Sequence, residues 1–216
     1  MIRILIVDDH AVVRKGVRQI LEDANEISVY GEASTGREAI QLCLQTDFDI
    51  ALLDIALPDT NGIEVLKQLR RLKPKTRVLI LSMYPEEQYA LRALQAGAAG
   101  YLTKDSAPDE LMEAIHKVCA GGKYVTASLA ESMAAHMTEG YTKLPHESLS
   151  DRESEVMHLL ANGKSTSEIA AILSISPKSV STYRSRIMEK LGATNSSEII
   201  HYAYQNGLIQ SIKSSP

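Results

Sequence analysis

The chain has 216 residues, 23 Lys+Arg against 27 Asp+Glu, and a formal net charge of −4. That length suits two compact units rather than one, and a composition 44% apolar and 23% charged excludes a disordered or collagen-like chain. No apolar run approaches the roughly 18 residues of a membrane span. The opening run to Val7 meets Asp8 and Asp9 instead of a small-residue cleavage site, so no signal peptide is expected. Cys43 and Cys119 make no disulfide framework, and the expected location is cytoplasmic.

In chain order, short apolar runs stand at Ile4–Val7, Ile27–Tyr30, Ile50–Leu53, Val78–Leu81 and Ala99–Leu102. Most are continuous rather than alternating, the pattern of strands covered on both faces. Helix-like segments of about 11–24, 35–46, 62–72, 86–96 and 107–120 separate and follow them. Strict alternation predicts a doubly wound α/β domain with a parallel five-stranded sheet. Cys43 and Cys119 fall on apolar helix faces and are expected in the core.

The stretch 122–147 starts at Gly121-Gly122, carries a possible short helix (Ala127–His136) and ends near Gly140 and Pro145. It reads as a linker. From Ser150 onward the pattern is helical only, at about 151–162, 166–173, 177–191 and 196–206, with Gly163, Pro177, Gly192 and Gly207 between segments. Ser150 with Glu153, and Ser165 with Glu168, have capping-box spacing. Ser176-Pro177 reads as an N-cap followed by Pro at the first helical position. The expected division is 1–121, a linker 122–147, and an all-α four-helix domain over 148–216.

Polar residues fall at the predicted strand ends. Asp8 and Asp9 follow the first strand, Asp54 the third, Ser82 the fourth and Lys104 the fifth. A parallel sheet opens all of these ends on one edge. Three carboxylates crowded there repel one another unless a cation is present. Mg2+ suits them, being a hard ion that takes one or two carboxylates plus water and phosphate oxygens. A lysine beside it would neutralise a phosphoryl group.

This ordered set resembles the receiver domain of bacterial two-component response regulators over residues 1 to about 121. The matching residues are Asp8-Asp9, Asp54 with Pro58 and Gly62, then Ser82, Tyr101 and Lys104. The resemblance implies that Asp54 accepts a phosphoryl group from the phosphohistidine of a sensor histidine kinase. It implies Mg2+ held by Asp9, Asp54 and the backbone carbonyl of Ala56, with Asp8 acting largely through water. Lys104 would pair with the phosphoryl oxygens, Ser82 would move toward them, and Tyr101 would report that movement by its rotamer. Two positions depart from the family pattern. Asp105 stands where Pro often follows the lysine in a cis peptide, so a trans peptide and a shifted loop are expected. Leu57 replaces a frequent Met, a neutral apolar change.

In the second half, Ile169, Ala170 and Leu173 give one helix an apolar face, and Ser174-Ile175-Ser176 makes a turn. On the next helix Val180, Ile187 and Leu191, with Tyr183 and Met188, form a packing stripe. Lys178, Ser181, Thr182 and Ser185 lie opposite, a polar surface of the kind that enters a major groove. Arg184, Arg186 and Lys190 flank it as phosphate contacts. The runs Leu149–Val156, Glu168–Leu173 and Ser176–Leu191 resemble the LuxR-type helix-turn-helix over about 148–208. Ser179 stands where that family has Thr, keeping the hydroxyl. Together the halves resemble the NarL/FixJ family of transcriptional regulators. That resemblance implies a double-stranded DNA operator as partner, and a homodimer favoured by phosphorylation, with the last helix contributing Ile199, Ile200 and Ala203 to the dimer contact.

No enzyme is expected beyond slow self-dephosphorylation. An aspartyl-phosphate phosphatase has its second acid two residues after the nucleophile, where this chain has Ala56, and no P-loop occurs. The acidic total does not argue against DNA, because the charge is partitioned. Residues 1–122 hold 14 basic and 18 acidic side chains, whereas residues 177–190 hold four basic and one acidic.

Overall fold

The computed structural model describes residues 1–22, 24, 26–137, 144–206 and 208–209. The chain divides into two compact units, residues 1–138 and 139–216. In the first, β1 (Ile2–Val7), β2 (Ile27–Ala33), β3 (Ile50–Leu53), β4 (Arg77–Ser82) and β5 (Gly100–Thr103) form one sheet in the order β2-β1-β3-β4-β5. Every pairing is parallel. The helices are α1 (Ala11–Glu22), α2 (Gly36–Gln45), α3 (Gly62–Leu72), α4 (Glu86–Gln95) and α5 (Pro108–Cys119). Position 23, at the end expected for the first helix, lies outside the described residues.

The continuous apolar runs have a direct cause. Leu5, Val7, Ala51, Leu53, Val78, Ile80 and Tyr101 pack on one face of the sheet with residues of α2, α3 and α4. Ile4, Ile6, Ile50, Leu52, Leu79, Leu81 and Leu102 pack on the other with residues of α1 and α5. Both faces are covered, so neither set of alternating positions is polar. Each fully buried aliphatic side chain contributes about 1.5–3 kcal/mol. Cys43 is buried as expected, and Cys119 is partly buried against the second face.

The linker expectation is corrected over its first part. Tyr124 bridges to Gly100 beside β5, and its N–H donates to the Ala99 carbonyl at 2.8 Å. Helix α6 (Ala127–Met137) then packs against α4. Leu129 is 5% exposed and joins the core around Tyr89, Ala90, Ala93 and Tyr101, with Val125 and Met133 beside it. The Thr126 hydroxyl caps α6 by accepting the Leu129 N–H at 3.1 Å, and it also donates to the Glu86 carboxylate at the start of α4. Short sequence periodicity detected this helix but not its docking. Of the rest of the expected linker, residues 138–143 lie outside the described residues, and 145–147 belong to the turn that opens the second unit.

The second unit opens with a short 3-10 turn, Pro145–Ser148, and contains α7 (Asp151–Ala161), α8 (Thr166–Ile172), α9 (Pro177–Leu191) and α10 (Ser196–Gln205). Both capping boxes form as spaced, on Ser150 and on Ser165, and Ser176 caps α9 before Pro177. Gly192 ends α9 in the left-handed region, at φ 67°. In the turn between α8 and α9, Ser174 has φ 52°, a conformation that favours glycine. Val156, Met157, Ile169, Ala170, Val180, Ile187, Ile199 and Ala203 form the core.

Candidate functional site

The acidic pocket is assembled by the parallel ladder. Asp8, Asp54 and Lys104 each continue the hydrogen bonding just past their strands. The Asp8 N–H donates to the Ala33 carbonyl at 3.1 Å, the Asp54 N–H to Val7 at 2.9 Å, and the Lys104 N–H to Ser82 at 2.8 Å. Residues far apart in sequence therefore meet at one sheet edge. Gly62 allows the next loop to close over it, since a Cβ there would lie 2.1 Å from the Asp54 carbonyl oxygen. Ala56 forms an isolated bridge with Asn61, whose side chain caps α3 by accepting the Ile63 N–H at 2.8 Å.

Asp8, Asp54 and Ser82 are buried, and the Lys104 ammonium joins two of them. Its Nζ lies 2.5 Å from Asp8 Oδ2 and 2.7 Å from Asp54 Oδ2. Asp54 Oδ1 is buried and has no hydrogen-bond partner. Burial pushes the Asp54 carboxyl above the usual carboxylate range, against the pull of Lys104. Burial also opposes the Lys104 charge, but the Asp54 carboxylate outweighs it and the lysine pKa is raised. Asp9 sits at the rim. Tyr101 is buried, and its hydroxyl donates to the Tyr84 carbonyl at 2.8 Å, in the loop after β4. The Lys104–Asp105 peptide is trans, as the departure from Pro led one to expect.

A metal ion fits this donor set. Ligand atoms of Asp8, Asp9, His10 and Asp54 all lie within 4.8 Å of one another. Asp8, Asp9 and Asp54 supply the oxygen donors that such an ion takes. His10 was missed in the sequence. A histidine directly after an acid pair was the available signal, and its ring Nδ1 lies 2.6 Å from Asp9 Oδ1.

On α9, Lys178, Ser181, Thr182, Ser185 and Arg186 are exposed. The hydroxyls of Ser181, Thr182 and Ser185 donate to carbonyls four residues back at 3.1, 3.0 and 3.1 Å. Their outward lone pairs stay available as acceptors. Ser179 is half-buried, with its hydroxyl 2.9 Å from that of the cap Ser176. Arg184 is half-buried with its Nε unpartnered.

Two sets of expected contacts change place. Lys190 does not stand free beside the helix. Its Nζ lies 2.6 Å from Glu153 Oε2 and 3.3 Å from the Ser148 carbonyl oxygen, so its charge is spent inside the unit. Ile199 and Ala203 are both 0% exposed and belong to the core, whereas Ile200 is 36% exposed and Tyr204, not expected in the sequence, is 56% exposed. Ile199 and Ala203 are four positions apart, as are Ile200 and Tyr204. The two pairs therefore define adjacent stripes, only one of which faces out.

The Glu153–Lys190 pair sets a pH dependence. Burial would raise the Glu153 carboxyl, but hydrogen bonds from Lys190 and Ser150 outweigh it and hold the carboxyl below the ordinary range. Its contribution is therefore full above the unfolded pKa, about 4.3, and is lost as pH falls through the lower folded value. Glu153→Gln is expected to cost about 1–3 kcal/mol near neutral pH and to flatten the acid limb of melting temperature against pH. Parallel acid limbs in the two proteins would refute this assignment.

The comparisons agree with both halves. The family model of the response regulator receiver domain matches residues 4–116, and that of bacterial regulatory proteins of the luxR family matches residues 147–203. Response regulator UvrY of Escherichia coli K12 is 38% identical over 209 residues, covering 96% of this chain and 96% of its own. Response regulator GacA of Pseudomonas aeruginosa is 35% identical over 97% of this chain and 98% of its own. Among solved structures, RcsB of Salmonella enterica serovar Typhimurium, bound to promoter rprA in the presence of phosphomimetic BeF3-, matches with TM-score 0.65 and 27% identity, over 93% of this chain and 97% of that one. Among the described residues, no helix is long and apolar enough to cross a membrane. A five-stranded parallel receiver with its acids at one edge, joined to a LuxR-type helix-turn-helix, places this chain in the NarL/FixJ family of two-component response regulators.

Proposed function

We propose that the chain is a transcription factor switched by phosphorylation of Asp54 and acting as a dimer on a two-fold operator. The observation that carries this reading is the division of labour at Asp54. Oδ2 is held by Lys104, while Oδ1 is buried and unpartnered. Oδ1 attacks phosphorus, and the phosphorus–nitrogen bond of the kinase phosphohistidine breaks, its electron pair leaving with the imidazole. Asp9, Asp54 and the Ala56 carbonyl would hold Mg2+, with Asp8 acting through water. The ion would supply charge neutralisation between incoming phosphoryl group and carboxylates. Lys104 pairs with a phosphoryl oxygen, and Ser82 donates to another. No metabolic turnover is proposed, and the working location is the cytoplasm, with the chromosome. Lys178, Ser179, Ser181, Thr182, Arg184, Ser185 and Arg186 face DNA, and Ile200 with Tyr204 supplies the apolar contact between copies. The RcsB structures with promoter DNA and a phosphomimetic support this reading.

The route out of the pocket follows the β4–α4 loop. Ser82 heads it, Tyr101 bonds to Tyr84 within it, and Glu86 after it receives the Thr126 hydroxyl of α6. A shift of this loop toward a phosphoryl group would therefore disturb the cap of α6, from which the chain continues to the second unit. Thr126→Val is expected to shrink the gain in operator affinity on phosphorylation by about fivefold or more, a coupling loss of about 1 kcal/mol. Equal gains in variant and wild type would sever this link.

The function is tested by footprinting an operator selected from genomic fragments, with and without acetyl phosphate and Mg2+. Protection of two half-sites about one helical turn apart, at lower protein concentration after phosphorylation, is expected. Protection of a single half-site, indifferent to acetyl phosphate, would overturn it.

A further inference from the structure

One arginine ties the acid pair to the neighbouring strand. β1 ends at Val7, and the carbonyl of the next residue, Asp8, accepts from a side chain: Arg14 Nη1 donates to it at 2.7 Å. Arg14 stands in the first turn of α1, where its own N–H donates to the His10 carbonyl at 3.1 Å. The Nε of the same guanidinium donates to Glu32 Oε2 at 3.1 Å. Glu32 lies on β2, opposite Ile6 in the ladder. Its other oxygen, Oε1, accepts from Arg18 Nε at 2.7 Å, one turn further along α1. Burial would raise the Glu32 carboxyl, but Arg18 and Arg14 outweigh it and hold the group below the ordinary range, so it stays charged.

The bond to the Asp8 carbonyl bears on Asp9. A peptide unit is planar, so holding its oxygen also fixes the direction in which the next residue leaves. Asp8 has buried ties of its own, with Oδ1 accepting the His10 N–H at 2.8 Å and Oδ2 lying 2.5 Å from Lys104 Nζ. The Asp9 side chain is 34% exposed and leans on the His10 ring, itself 64% exposed. Neither is anchored by burial, so Asp9 takes its direction from the backbone. The Arg14 side chain is only 17% exposed, and a planar fork that binds two acceptors at once is a rigid strut.

We propose that Arg14 is a positioning residue for phosphoryl transfer: braced by Glu32, it holds the Asp8–Asp9 peptide so that the Asp9 carboxylate faces the pocket. The inference rests on the receiver reading of that pocket. Arg14 acts through Asp9, so its loss shows in how much Mg2+ the protein needs, and not in the rate once the ion is bound. Arg18 provides the control. It donates to Glu32 and Glu22, so its removal loosens the same ion-pair network while Arg14 keeps the Asp8 carbonyl.

The test compares full-length wild type, Arg14→Gln, Arg14→Lys and Arg18→Gln. Thermal melts, isothermal titration with MgCl2 and the rate of phosphoryl incorporation from acetyl phosphate across a Mg2+ series are measured. Arg14→Gln is expected to weaken Mg2+ binding about tenfold or more, the effect of removing a group that orients a metal ligand. Its phosphorylation rate at saturating Mg2+ should return to within about threefold of wild type, since Asp54 and Lys104 are untouched. Arg14→Lys keeps the charge and most of the stem, so it should fold even if Arg14→Gln does not. A single ammonium lacks the fork that spans Glu32 and the Asp8 carbonyl, so Mg2+ binding should fall there too, by about threefold or more. Arg18→Gln should leave Mg2+ affinity within about twofold of wild type, whatever it does to the melt. Wild-type Mg2+ affinity in a folded Arg14 variant would overturn the assignment. So would an equal loss in Arg18→Gln, which would trace the effect to general loosening of α1. A wild type that bound no Mg2+ and took up no phosphoryl group would bring down the receiver reading and this proposal with it, whereas a competent wild type with indifferent Arg14 variants would remove the proposal alone.

Discussion

Asp54→Asn is expected to abolish phosphoryl incorporation and to make operator affinity indifferent to acetyl phosphate. The amide fills the same space, so the buried wall around it stays packed. Lys104 keeps Asp8 at 2.5 Å as its counter-charge. Removing Asp54's charge also removes one member of a desolvated acidic cluster, whose carboxyl is pushed upward by burial. Stability should therefore change by no more than about 1 kcal/mol, within the range of substitutions that create neither a cavity nor an unpaired charge. Loss of activity can then be read as loss of the nucleophile. The check is intact-mass measurement after acetyl phosphate treatment, alongside a thermal melt. A phosphoryl increment that persists in a folded Asp54→Asn protein would move the acceptor elsewhere in the chain.

The second large effect separates neighbouring residues of α10. Ile199 is 0% exposed, and Ile200 is 36% exposed. Ile199→Asp puts an unpaired carboxylate into the core formed with Val156, Ile169 and Ile187. The cost, about 4 kcal/mol or more, is a large share of the stability of a unit this small. The cooperative melt of the second unit should be lost, and DNA binding with it. Ile200→Asp leaves that core untouched and should melt within about 0.5 kcal/mol of wild type. Its effect belongs to association. The phosphorylated protein should sediment as a monomer, and operator affinity should fall about 100-fold, as two linked half-site contacts become independent. A folded Ile199→Asp protein would refute the core assignment. A dimeric Ile200→Asp protein would remove this stripe from the interface.

How much was legible differs between the two halves for a physical reason. Strand ends in a parallel sheet are set by local pattern, because an apolar run stops where the sheet stops. Asp8, Asp54, Ser82 and Lys104 therefore fall on one edge by their sequence positions alone. The capping boxes at Ser150 and Ser165 were equally local, each a matter of three-residue spacing. His10 was legible as a residue but not as a donor, since its ring position depends on how the turn after β1 folds back on Asp9.

The amino-acid sequence alone determined the alternation of strands and helices, the parallel sheet, the acids at its edge and the polar face of α9. All of these follow from periodicity and hydrogen-bonding rules that act within a few turns of chain. Tertiary structure alone decided which stripe of α10 is buried, that Lys190 spends its charge on Glu153, and that α6 packs onto α4 through Leu129. Each of those outcomes depends on a partner about forty residues away. Two apolar stripes on a helix look alike in sequence, and a lysine looks free, until the packing supplies the surface or the carboxylate that claims it.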